Sequence, residues 1–172
     1  MSSPLKTIPV GIVVERRRAK SAWTETLWRP VAVLAGSPEA GLWTVLSDDG
    51  DAVTYYAGAA EIGLYRSESE NYRQNLASGA PAIWVTLHET GGDPPYAVAA
   101  ATADPAEGEG WTEPGQAIVE AVAMPDSIRA EIAAFIAQYP AGPGFTKRRR
   151  DRADPEVLAR RTPPVGTRCE RR

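Results

Sequence analysis

Two β-branched runs, Thr7 to Glu15 and Trp28 to Ala35, stand on either side of a polar loop and predict a pair of neighbouring strands. In the first, Val10, Ile12 and Val14 share one face, because side chains alternate across a strand. Pro9 and Gly11 in that run argue for an irregular start or an edge position, and Pro30 in the second argues for an edge or a bulge. Leu42 to Leu46 and Ala52 to Ala57 predict a third and a fourth strand. They are joined through Asp48-Asp49-Gly50, since Asp-Gly supplies the positive φ that a tight hairpin needs. Gly58 then interrupts. Beyond it Ala60, Ile62 and Leu64 alternate with Glu61, Gly63 and Tyr65, the pattern of a further half-buried strand.

Helical signals appear twice. Ser67 with Glu70 has the spacing of a capping box and predicts a helix from Glu68 to Ser78. Tyr72 and Leu76 would face inward, and Gly79 and Pro81 would stop the helix. Arg73 and Asn75 would lie on its polar faces, as partner contacts or simply in solvent. Ala82 to His88, Tyr96 to Ala103 and Ile118 to Val122 read as later strands, the alanine-rich middle one small enough to lie under a helix. Asp104 to Gly115, rich in Glu, Gly and Pro, reads as a surface excursion holding Trp111. Pro125 and Asp126 open the second helix, in which Ile128, Ile132, Phe135, Ile136 and Tyr139 form one stripe. The expected architecture is α+β: a mostly antiparallel sheet of about six or seven strands covered by two helices.

Charge divides the chain. Residues 147–172 carry ten Lys/Arg against four Asp/Glu, whereas residues 1–146 carry nine against eighteen, and together they give the net charge of −3. We therefore expect one globular domain, 1–146, followed by a basic tail, 147–172, with too few large apolar residues to order itself. The lone Cys169 excludes an internal disulfide and suits a reducing, cytoplasmic setting. The longest apolar run, Val10 to Val14, is far short of the roughly 20 residues that cross a bilayer. The first residues also lack the pattern of a secretory signal.

Chemistry-bearing constellations are sparse. His88 is the sole histidine and has no nucleophile motif beside it, which favours a surface or capping role. Cys169 has basic neighbours, but a spare thiol is the simpler reading. Glu107, Glu109, Glu113 and the Asp48/Asp49 pair lie in glycine-rich settings without burial to raise a pKa. No enzyme activity, metal or cofactor is expected from these residues. Trp23, in the first loop, is expected to plug the end of the sheet. The arginines offer more. Arg16, Arg17 and Arg18 follow the first strand, Arg66 and Arg73 flank the first helix, and Lys147, Arg148, Arg149, Arg150 and Arg152 open the tail. Guanidinium forks suit carboxylate and phosphate, so these residues are the binding candidates.

Four stretches occur in an order that resembles one bacterial family. They are Val13-Val14-Glu15-Arg16-Arg17, Trp28-Arg29-Pro30-Val31-Ala32-Val33-Leu34, Tyr72-Arg73-Gln74-Asn75-Leu76, and Phe145-Thr146-Lys147-Arg148-Arg149-Arg150-Asp151-Arg152. The family is catalogued as domain of unknown function thirty-three-oh-five, and the similarity spans roughly Ile8 to Arg152. The resemblance implies a small soluble protein encoded beside molybdenum formate dehydrogenase genes, with no catalytic residues to carry over. Three expectations follow. The first is a non-enzymatic accessory or maturation protein that binds a molybdoenzyme or another maturation protein. The second is an anion or pyranopterin-cofactor binder, in which Arg16, Arg17, Arg18, Arg66 and Arg73 converge. Nucleic-acid binding through the tail ranks last, because the acidic body would repel a phosphate backbone.

Overall fold

The computed structural model describes residues 3–142 except Thr24 and 113–116, and all of these belong to one compact unit ending at Gly142. The expected basic tail, 147–172, lies outside the described residues. The element order is β1 (Lys6–Arg18), β2 (Thr26–Ala35), β3 (Thr44–Asp48), β4 (Ala52–Leu64), α1 (Ser69–Ala77), β5 (Ala82–Glu89), β6 (Tyr96–Thr102), α2 (Pro105–Gly110), β7 (Ala117–Ala123) and α3 (Asp126–Gln138).

The first pair of runs forms neighbouring strands, as expected, and they pair antiparallel, with Ile12 opposite Val33 and Arg18 opposite Thr26. β1 is also paired along its length with β4, from Lys6 opposite Leu64 to Arg17 opposite Ala52. Gly58 does not end a strand, as the sequence suggested. The chain continues as one strand through it, and the ladder shifts register between Ile12 and Val13 instead. A bulge absorbs the extra residue without releasing the partner strand. Gly50, at φ +90°, turns β3 into β4 as the Asp-Gly signal requires. Asp48 and Asp49 spend their carboxylates on this turn, accepting from the Gly50 and Ala52 amides at 2.9 and 2.8 Å.

The strands form two antiparallel sheets, β2-β1-β4-β3 and β6-β5-β7, rather than the single sheet expected. β4 comes beside β6 and β2 beside β7, so the two sheets close over a shared core. Ile8, Val10, Ile12 and Val14 of β1 meet Ile83, Val85 and Leu87 of β5 in that core. Tyr72 of α1 and Ile128, Ile132 and Phe135 of α3 belong to the same cluster, as the apolar stripe of α3 predicts. Tyr72 packs edge-on to Phe135 with ring centroids 6.2 Å apart. Burial pushes its phenol up to about 12.

Three further expectations change. The stretch after Asp104 contains a helix, α2, which adds a third helix to the two expected. Asp104 caps it by accepting from the Ala106 amide at 2.8 Å, and Pro105 sits at its first turn. The expected capping box at Ser67 does not form. Arg66–Glu68 makes a 3-10 turn, and α1 starts at Ser69 without a side-chain cap. Glu70 is drawn instead to Arg73, whose Nε lies 3.0 Å from it, because a charged fork outcompetes a single amide. Asn75, placed on a polar face by the sequence reading, is buried. Its Nδ2 donates to the Ala82 and Ala103 carbonyls at 2.8 Å each, and its Oδ1 accepts from the Ala82 amide at 3.0 Å. It ties α1 to β5 and to the end of β6.

Candidate functional site

The alternation of β1 splits the arginine cluster between two faces of the first sheet. Glu15 and Arg17 point one way, Arg16 and Arg18 the other. On the first face the hairpin register sets Arg29 of β2 directly opposite Glu15. Glu15 thus receives two guanidiniums. Arg17 donates Nε to Oε1 and Nη2 to Oε2, both at 3.2 Å, and Arg29 donates Nε to Oε1 at 3.2 Å. The Glu15 side chain is only 11% exposed, while those of Arg17 and Arg29 are 53% and 54% exposed. One anion therefore orients two cations that remain open to solvent. The hydrogen bond from Arg17 chiefly holds the Glu15 carboxyl below its usual range, helped by Arg29 and opposed by burial. Glu15 in turn raises the Arg17 guanidinium. A cleft of about 230 Å³ is lined by Glu15, Arg17, Leu27 and Arg29.

On the opposite face Arg16 lies over aromatic rings. Its guanidinium carbon is 5.8 Å from the Trp28 centroid and 5.7 Å from that of Tyr55, within cation–π range. Trp28 stacks on Tyr55 at 5.9 Å, meets Trp43 edge-on at 5.6 Å, and lies 6.1 Å from Tyr96 of the second sheet. Trp43 adopts φ +61°, a left-handed conformation that costs a bulky residue roughly 1–2 kcal/mol. That conformation delivers its indole to the cluster. Arg16 and Arg18 also line a cleft of about 160 Å³ with Glu25, Thr26 and Asp51, where the charge is mixed.

The remaining candidates lie elsewhere. Arg66 follows Leu64, which pairs with Lys6 at the far end of β1 from Arg17. At about 3.3 Å per residue, the length of β1 separates the two ends. Arg73 is engaged by Glu70 through a 2.6 Å ion pair. The expected convergence of Arg16, Arg17 and Arg18 with Arg66 and Arg73 is therefore not what the fold makes. Lys147, Arg148, Arg149, Arg150, Arg152 and Cys169 lie outside the described residues. His88 is exposed on β5. Trp23 does not plug the sheet; it is 95% exposed in the β1–β2 loop. Among the described residues no group of three or more His, Cys, Asp or Glu is arranged to hold a metal ion. No described helix is long and apolar enough to cross a membrane.

Glu15 and Arg29 were absent from the sequence candidates, although both sit in family-like stretches. Only the cross-strand register brings them together. The ring cluster of Trp28, Trp43, Tyr55 and Tyr96 was likewise hidden, since it draws on four strand or loop segments.

Neither a curated protein nor a solved structure matches the chain. A family model described as "Protein of unknown function (DUF3305)" matches residues 9–150, which include the arginine-bearing end of β1 and its partners. The chain belongs to that family.

Proposed function

We propose that this protein is a non-enzymatic accessory or maturation protein of a molybdenum formate dehydrogenase system, acting in the cytoplasm by binding a molybdoenzyme or another maturation protein. The observation that carries the binding part is the Glu15-held pair of half-exposed guanidiniums on Arg17 and Arg29. Such prearranged forks recognise carboxylates with little ordering cost, and arginine is enriched at the anchors of protein interfaces. The formate dehydrogenase setting rests on the family resemblance of the four stretches. The test is native affinity purification of the full chain followed by mass spectrometry. Recovery of a molybdoenzyme or a maturation protein is expected, with retention reduced several-fold in a variant carrying Arg17→Ala and Arg29→Ala, whose native side chains are half-exposed. Recovery of neither class sinks the proposal.

A second reading is favoured by the cleft between Arg17 and Arg29, whose size suits a small oxyanion or the phosphate of a pterin cofactor. Isothermal titration with inorganic phosphate checks it: saturable heat that disappears in Arg29→Ala supports it, and no heat removes it.

A further inference from the structure

The charge division of this chain does not fall only between body and tail. Residues 15–29 hold five of the nine Lys/Arg of residues 1–146 but two of their eighteen Asp/Glu. One of those two, Glu15, is largely covered by its own arginines. The β1–β2 hairpin is thus a basic arm on an otherwise acidic body. Its loop also presents Trp23 at 95% exposure, and Leu27, opposite Arg17, is 53% exposed. Scattered exposed apolar residues are ordinary on any protein. Here they share one hairpin with a pair of guanidiniums held ready by a common carboxylate. Tryptophan and arginine together are the composition of an interface anchor.

We propose that this hairpin is a docking arm for an acidic peptide segment of a partner protein. Trp23 and Leu27 take its apolar side chains, while Arg17 and Arg29 receive its carboxylates. The inference rests on the protein-binding reading above and specifies its surface and the chemistry of its partner. Charge complementarity selects the occupant. The neighbouring β3–β4 turn carries Asp48, Asp49 and Asp51, which repel an acidic segment and so confine it to the arm.

The experiment is selection of a random peptide library displayed on phage against the full chain, followed by affinity measurement on the selected peptides. Peptides with Asp or Glu flanking an aromatic or leucine residue are expected. Trp23→Ala should weaken them about tenfold or more, as truncating an interface anchor does. Lys20→Glu should weaken them less, and mainly at low salt. Both side chains are exposed, and circular dichroism verifies that the variants fold. A selection without acidic enrichment overturns the proposal. So does equal binding to Trp23→Ala, which would leave protein binding in place at some other surface. Vesicles of phosphatidylglycerol form a parallel arm: Trp23-dependent binding to them, with none to the peptides, reassigns the hairpin to membranes. Peptide docking on the arm without capture of a molybdoenzyme or maturation protein would sink the accessory role alone.

Discussion

Asn75 bears on the fold more than its polarity suggests. Both N–H groups and the carbonyl oxygen of its amide join α1 to the second sheet, and its partners are backbone atoms with no ready substitute. Replacing it with alanine leaves the Ala82 and Ala103 carbonyls short of a donor in a buried place. A cost of about 3 kcal/mol is expected, since each orphaned buried group costs roughly 1–3. Urea denaturation of Asn75→Ala measures it, and a loss under 1 kcal/mol would show that the junction closes without the amide. Glu15 gives a pH prediction. Its carboxyl is held below the ordinary 4.5 by Arg17 and then Arg29 in the folded chain. A depressed carboxylate contributes stability that is present above pH 4.5 and lost as the pH falls through its folded value. The stability gap between the wild type and Glu15→Gln should therefore be widest near neutrality and shrink below pH 4.5. A gap that is constant down to pH 3 would mean that the two arginines do not depend on the charge of Glu15.

At the level of elements, legibility followed locality. β1, β2 and α3 could be read because their apolar residues keep a clear period, and the β1–β2 pair is close in sequence. β4 was split at Gly58 because glycine ordinarily weakens a strand, whereas the pairing with β1 carries the chain through a bulge. α2 was hidden by Gly108 and Gly110, poor helix formers, although Asp104-Pro105 is a sound start signal. Gly108 is there for contact. A Cβ at that position would fall on the Trp84 side chain, within 2.6 Å of its Cβ. In an open helix, Gly→Ala gains about 1 kcal/mol. Here overpacking of about 1–3 kcal/mol opposes that gain, and the contact is with an indole wedged between β5 and α2. Gly108→Ala should therefore lower the melting temperature, and a raised one would mean that α2 shifts freely off the sheet. The site obeyed the same rule of locality. Arg16, Arg17 and Arg18 were visible as a run, but which of them share a face with Arg29 depends on a register that bulges set between Val13 and Val14.

For the whole molecule, the two basic regions must be considered together. The hairpin arm and the 147–172 segment carry most of the positive charge, and the rest of residues 1–146 is strongly acidic. Without 147–172 the chain changes from −3 to −9, because ten Lys/Arg leave with four Asp/Glu. An acidic partner approaching the truncated chain meets a body of net charge −9 whose basic residues are concentrated in the hairpin. The full chain carries a net six more positive charges. Steering of this kind acts on the association rate, and it fades as salt shortens the screening length to about 8 Å at 0.15 M. Deleting 147–172 should accordingly slow association with an acidic peptide selected on the hairpin, by more at low salt than at high. The dissociation rate should stay nearly unchanged, since it depends on Trp23 and the guanidiniums of Arg17 and Arg29. Stopped-flow measurement across a salt series separates the two rates. If the truncated chain associates as fast or faster at low salt, those charges are spent on the chain's own acidic surface, and the hairpin alone brings the partner in.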